Sequence, residues 1–399
     1  MKKKKVVLAF SGGLDTTFCA VWLKKELNCE VYALTVNTGG FDEDEIQSIK
    51  SKAMLLGVDS FRVEDAATNF YDHSIRYLIF GNVLKNNTYP LSVSAERSCQ
   101  AVAIARYALE IGADAIAHGS TGAGNDQVRF DLVFSILAPK MEIITPIRDM
   151  KLTRQAEITY LEQHNIQLNF SKNNYSINKG LWGTSIGGKE TLASRYPLPE
   201  EVWPSQQIKN EPKTISLHFQ KGELTGIENK IFTHPVEAIR ELEQLASPYA
   251  IGRDTHVGDT IIGIKGRVGF EAAAAIIILK AHHLLEKHTL SKYQMIIKDQ
   301  LSVWYGNWLH EALFLDPVMR DIERLLESSQ LTVNGKVHIT LYPYRFTLDG
   351  IESENDLMSA HFASYGELNN AWSATDVKGY TKILGNALKI YHTINAEKE

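Results

Sequence analysis

Two glycine-bearing strings have the residue types and spacing for chemistry on an anion. Ser11-Gly12-Gly13-Leu14-Asp15-Thr16-Thr17 follows an apolar run, Lys5 to Phe10, and opens onto a helical pattern. Adjacent glycines permit a tight turn there. Hydroxyls and consecutive backbone N–H groups then face outward at a helix N-terminus, where partial positive charge favours a phosphate. No G-x-x-x-x-G-K-[ST] string occurs, so this is not a Walker A loop. A bare S-G-G is an ordinary strand-to-helix turn; S-G-G-x-D-T at the end of a first strand is much more specific. Asp15 repels phosphate, so a magnesium ion or the loop's own amides must be its partner.

The second string, His118-Gly119-Ser120-Thr121-Gly122-Ala123-Gly124-Asn125-Asp126-Gln127-Val128-Arg129-Phe130, also follows a short apolar strand. With a helix starting near Asn125, Asn125 and Arg129 are four apart and share a face. An amide beside a guanidinium suits a substrate carboxylate. An N-cap followed by a surface arginine accounts for single residues of this string but not for the whole.

Both loops require a frame. Across roughly the first 165 residues strand and helix patterns alternate, as in a parallel sheet with crossover helices. Strands are expected at Lys5 to Phe10, Glu30 to Val36, Ser60 to Val63, Ala113 to Ala117 and Glu142 to Thr145. Helices are expected at 15–27, 43–56, 67–80, 95–111 and 153–164. In such a sheet the two loops sit at the carboxyl ends of strands, where open α/β sheets bind ligands.

Beyond about Phe170 the texture changes. Ser171 to Pro212 is rich in Gly, Asn, Ser and Pro without sustained period, a length that marks function or disorder. Further on, the pattern predicts a hairpin about Lys221-Gly222, a strand at Thr260 to Lys265 and helices at 271–288 and 291–313. Asn334-Gly335 between Leu331 and Tyr342 predicts a second hairpin with a type I′ turn. The fold class expected is α/β, with an N-terminal parallel sheet and flanking helices, then an α+β domain and a C-terminal helix. The boundaries expected are 1–168, 169–360 and 361–399. From Val377 to Ile394 apolar residues recur at three and four, a stripe equally suited to packing on its own domain or to clasping another subunit.

Composition narrows the function class. A net charge of -5 offers no broad basic field for nucleic acid. Cys19, Cys29 and Cys99 form no C-x-x-C pair, which excludes a disulfide framework or cysteine-rich zinc site and suits a reducing cytosol. The apolar run after Lys2 to Lys5 is five residues long, shorter than the ~7–15 of a signal peptide core. No stretch approaches the ~18 apolar residues of a membrane span. A soluble, cytoplasmic protein is expected. His282-His283 and the Trp304, Tyr305, Trp308 group are expected to be packing rather than a metal site or a base-stacking platform.

The first string resembles the pyrophosphate-binding loop of the N-type ATP pyrophosphatases, which cleave ATP between its α and β phosphates. With G-x-T-G-x-G-N-D-Q-V-R-F and Tyr89-Pro90-Leu91, the chain resembles the argininosuccinate synthase family over essentially its whole length. That resemblance implies a ligase: the ureido oxygen of citrulline attacks ATP, giving citrullyl-adenylate and pyrophosphate, and aspartate then displaces AMP. It assigns ATP to Ala9, Phe10, Ser11, Gly12, Gly13, Leu14, Asp15, Thr16, Thr17 and Gly119, with Mg2+ as cofactor. Aspartate falls to Thr121, Asn125 and Asp126, and citrulline to Tyr89, Ser94, Asn125, Arg129, Ser176 and Ser185. Asp126 and Asp15 are the catalytic positions, no protein-built metal site is implied, and the family is a homotetramer joined through its C-terminal helix. The sequence departs from the family at Asn178-Lys179-Gly180-Leu181, Gly187-Gly188-Lys189 and Ala123. Gly258 and Phe270 stand where the family carries a citrulline-binding glutamate and tyrosine. That marks a divergent branch and leaves open a different citrulline-like acceptor. A tRNA-modifying or amidotransferase enzyme would share the first loop, but the acidic balance and the lack of a cysteine pair or glutaminase nucleophile disfavour both. A non-catalytic nucleotide-binding module of the same architecture would bind ATP without cleaving it.

Overall fold

The computed structural model describes residues 2–166, 175–360 and 371–396. The expected boundaries near 168 and 361 fall outside the described residues. Strands β1 (Lys5–Ala9), β2 (Glu30–Asn37), β3 (Ser60–Asp65), β4 (Ala115–Ala117) and β5 (Glu142–Ile144) form a parallel sheet in the order β3-β2-β1-β4-β5. The apolar runs of the inner strands β1, β2 and β4 are nearly continuous because both faces are covered. Val6 and Leu8 enter a core with the helices Leu14–Lys25 and Arg154–Gln163, whereas Val7 between them enters the core on the opposite face. From β1 the chain winds one way to β2 and β3, then crosses back to β4 and β5. The crevice between β1 and β4 is therefore a topological switch point, and the two chemistry-bearing strings are the loops that leave these two strands.

The second half holds two antiparallel sheets. One is a hairpin pair, β6 (Tyr175–Gly180), β7 (Gly183–Gly188), β11 (Arg253–Asp259) and β12 (Lys265–Glu271), ordered β11-β12-β7-β6. The other comprises β8 (Lys213–Gln220), β9 (Glu223–Ile227), β10 (Lys230–Ile231), β13 (Gly335–Tyr342) and β14 (Arg345–Glu352), ordered β10-β9-β8-β13-β14. Helices Ala273–Thr289 and Lys292–His310 pack alongside. Among the described residues no helix is long and apolar enough to cross a membrane.

The hairpin about Lys221-Gly222 is present as expected. Other expectations are corrected. Ser171 to Pro212 contains, within its described part, the hairpin β6–β7, whose glycine-rich strands hide the usual apolar alternation. The expected strand at Thr260 to Lys265 is instead the turn joining β11 to β12: Thr260 Oγ1 accepts from Ile264 N–H and also donates to its carbonyl, and Gly263 has φ +81. Glu271 ends β12 rather than starting a helix, which begins at Ala273. Asn334-Gly335 is no hairpin turn, because Asn334 Oδ1 accepts from Lys221 N–H and so ties this entry into β13 to the first hairpin. The turn lies further on, at Pro343-Tyr344, where Tyr344 has φ +62 and its N–H bonds Tyr249 O at 2.7 Å. The tail is two helices, Ala374–Leu384 and Asn386–Asn395, with no buried residue, so it does not pack back into its own core.

Between the two halves runs a seam of glycines. A Cβ on Gly39 would lie 2.9 Å from the Leu181 side chain, one on Gly40 would strike the Lys179 carbonyl, and one on Gly180 would lie 2.6 Å from Glu96 Oε2. At Gly40 the segment after β2 and the hairpin β6–β7 thus touch main chain to main chain.

Candidate active site

A cleft of about 1080 Å³ opens over the carboxyl ends of β1 and β4 and is walled on its far side by β6–β7 and β11–β12. The first loop supplies Ala9, Phe10, Ser11, Gly13, Leu14, Asp15 and Thr16. Its helix starts at Leu14 with no side-chain cap, so first-turn N–H groups remain for a ligand. Hydrogen bonds inside the loop are long: Ser11 N–H to Thr16 Oγ1 at 3.4 Å and Gly13 N–H to Ser11 Oγ at 3.5 Å. Two expected residues are not in the cleft lining. Gly12, at φ +72, turns its carbonyl to Lys52 Nζ at 2.6 Å, and Thr17 is buried beneath the loop with its hydroxyl unpartnered.

Asp15 lines the cleft beside a second carboxyl. Its carboxyl pairs with that of Glu157 on the helix Arg154–Gln163. Burial raises both, Asp15 above the usual carboxylate range and Glu157 to about 8, where the Asp15 charge adds to the effect. Two carboxyls placed side by side disfavour charge on each other. Among the described residues no group of three or more His, Cys, Asp or Glu side chains is arranged to hold a metal.

The second loop is shaped by His118, whose Nε2 meets Asp131 Oδ1 at 2.8 Å while Nδ1 accepts from Ser120 N–H at 3.3 Å. Gly119 follows. A Cβ there would lie 3.0–3.2 Å from the Cβ, C and O of Asp15, so the two loops approach this closely only through glycine. Gly119, Thr121, Asn125, Asp126 and Arg129 all line the cleft. Asn125 and Arg129 do share a helix face, but the protein already engages both. Asn125 Oδ1 accepts from Ile261 N–H at 2.9 Å, and Arg129 donates to the His310 carbonyl at 3.0 Å and to Asp126 at 2.8 Å. Burial, followed by the Arg129 charge, pushes His310 far down, so its imidazole is neutral.

Asp126 lies between two guanidinium groups, Arg97 at 3.0 Å and Arg129 at 2.8 Å. Burial works to raise its pKa, but the two arginines prevail and hold it below the usual range. Arg97 also reaches Glu96, Gln100 and Asn178. Glu96, raised to about 7 chiefly by burial, accepts from the Thr38 hydroxyl at 2.8 Å. Thr38, Glu96, Arg97 and Gln100 line the cleft yet do not stand out in the sequence, because Glu96-Arg97 reads as an ordinary solvated pair on a helix. Its neighbours Ser94, Ala95, Ser98 and Ala101 are the signal, since a charged pair among small residues points to burial.

On the far wall Tyr89, Ser94, Ser176 and Ser185 line the cleft. Asn178 stands opposite Ser185 in the β6–β7 register, and Ser176 lies two residues from Asn178, so these three share one face. Gly258 lines the cleft, whereas Phe270 is buried behind it against Tyr89 at 5.4 Å.

Residues 5–167 match the family model described as the arginosuccinate synthase N-terminal HUP domain, and residues 175–391 match the arginosuccinate synthase C-terminal domain. This chain belongs to the argininosuccinate synthase family. Relatives named argininosuccinate synthase include those of Dictyoglomus thermophilum (37% identical over 391 residues, 96% of each chain) and Xylella fastidiosa (33% over 407 residues, 99% of each). The relative in Methanocaldococcus jannaschii is 34% identical over 364 residues, covering 90% of this chain and 91% of its own. Like the argininosuccinate synthases, the chain is an ATP-using ligase. Identities in the thirties fit a divergent branch of that family.

Proposed function

We propose that the cleft joins citrulline to aspartate through a citrullyl-adenylate, releasing pyrophosphate and then AMP. The observation that carries this reading is the meeting of the two loops at the switch point, Gly119 against Asp15, opposite a wall of hydroxyls. ATP lies along Ala9 to Thr16 with its phosphates toward the uncapped helix at Leu14. The first-turn N–H groups spread the charge that develops on pyrophosphate as it leaves. Tyr89, Ser94, Ser176 and Ser185 hold citrulline with its ureido oxygen toward the α-phosphate, so the attack is chiefly a matter of placement. Thr121, Asn125 and Asp126 hold aspartate. Asp126, kept ionised by Arg97 and Arg129, is too weak a base to take a proton readily; it accepts a hydrogen bond from the aspartate amine and orients it.

Magnesium fits this site as a partner of the nucleotide. Such ions bind through one or two carboxylates plus substrate phosphates, and Asp15 offers one carboxyl at the cleft surface. When bound, the ion neutralises charge on the phosphates. Three buried free cysteines suit a reducing cytosol. The exposed apolar residues of the tail, among them Tyr380, Ile383, Leu384, Leu388, Tyr391 and Ile394, support assembly into a homotetramer. Removing the residues after Ala374 then lowers the mass measured by light scattering; an unchanged mass counts against that assembly.

Pyrophosphate release with ATP and magnesium, with citrulline and aspartate added singly and together, tests the reaction. Release that needs both, with equal AMP, supports the ligase. Aspartate-dependent release with another ureido compound but not citrulline assigns a different acceptor, and no release with any acceptor leaves a nucleotide-binding module.

A further inference from the structure

His256 precedes Gly258 by two residues in β11, and side chains two apart share a strand face. Both line the cleft, while Val257 between them is 55% exposed on the other side. The imidazole is 6% exposed and stacks on Tyr89, with ring centroids 5.2 Å apart and planes at 23°. Its Nδ1 is buried and has no hydrogen-bond partner in the protein. A buried polar atom left unpaired weakens the fold, and a phenyl ring would stack on Tyr89 without one. Retaining nitrogen here has a rationale if something in the cleft bonds it. Burial and the nearby Lys85 charge lower the ring's pKa, so at neutral pH it can both give and accept a hydrogen bond.

Gly258 makes this placement possible. A Cβ there would lie 2.6 Å from His256 Nε2 and 3.0 Å from Cε1, so any side chain at 258 displaces the ring. The cross-strand neighbour is Gly266, which also lines the cleft.

We propose that His256 hydrogen-bonds the acceptor substrate, an amino acid with a ureido group, and that Gly258 is glycine so that the ring can occupy this place. The proposal rests on the ligase reading above and adds an acceptor-specific contact to it. Its test is the KM of citrulline, aspartate and ATP measured separately for the unaltered chain, His256→Phe, His256→Ala, Gly258→Ala and the double variant His256→Ala/Gly258→Ala. His256→Phe, which keeps the stacking, is expected to raise the citrulline KM about tenfold, one hydrogen bond's worth, with ATP and aspartate values and melting temperature little changed. Gly258→Ala is expected to raise the citrulline KM similarly in the native background and to have little further effect beside His256→Ala, because the ring it strikes is gone. An unchanged citrulline KM in His256→Phe, or equal shifts for all three substrates, overturns the proposal. So does full additivity of the two alanine substitutions. Absence of pyrophosphate release by the unaltered chain strikes the ligase reading instead; calorimetric citrulline binding by that chain and by His256→Phe then still decides whether His256 holds the acceptor.

Discussion

The two walls of the cleft are built of different material. Beneath β1 and β4 the surface is largely main chain: an uncapped helix start, Gly13, and Gly119 pressed on the backbone of Asp15. Opposite, β6–β7 and β11–β12 present side chains from hairpins, and the tight contact at Gly258 is with the His256 ring rather than with backbone. Backbone cannot move aside without moving its element, whereas a side chain can rotate. The first wall therefore yields less readily to substitution than the second.

Substitutions can break or sharpen that contrast. The largest effect is expected from Gly119→Ala, whose new methyl meets Asp15 Cβ at 3.0 Å and its backbone C and O at 3.1 and 3.2 Å, so one loop must give way to the other. Pyrophosphate release should fall by well over ~10-fold, because misplacement at a reacting centre costs up to about 100-fold per ångström. A drop as small as that of Gly258→Ala would erase the distinction between the walls. Next is Arg129→Met, which removes donors from the buried His310 carbonyl and one of the two cations beside Asp126. Destabilisation of about 2 kcal/mol is expected in urea titrations. Asp126→Asn keeps the shape and loses the charge; the aspartate KM should rise about tenfold while the ATP KM stays near its native value.

The smallest effect is expected beneath the main-chain wall, at Glu157. Folded Glu157 keeps its proton up to about 8, against an ordinary value of 4.5. Between those values the folded state binds more protons than the unfolded state, so stability falls as pH rises through the window. Glu157→Gln removes that slope. Melts from pH 5 to 9 should show a flatter profile for the variant. Identical profiles would mean that the Asp15–Glu157 pair holds no extra proton.

The same contrast explains what the sequence disclosed. Strands covered on both faces read as apolar runs, so β1, β2 and β4 and the two loops leaving β1 and β4 were legible, and the alternation with helices placed β3 and β5. Strands such as Ser176-Ile177-Asn178 and Thr255-His256-Val257-Gly258 carry no clean alternation, and β6, β7 and β11 went unread with the cleft residues on them. Asn334-Gly335 misled because a turn preference is local, whereas its role is set by the distant Lys221. The serines and Tyr89 came from resemblance and do converge on the cleft. Thr17 and Gly12, inside the same motif, do not line it, because a contiguous string cannot present every residue to one side.

The glycine seam sets the gauge of this cavity. Where Gly40 meets the backbone of Lys179 and Gly180, the spacer between the halves is two main chains thick. A main chain has the same thickness whatever the sequence on either side of it. The opening is thus held by a shim that side-chain variation cannot trim, and a branch of the family can refashion the furniture on one wall while the distance across the room stays fixed.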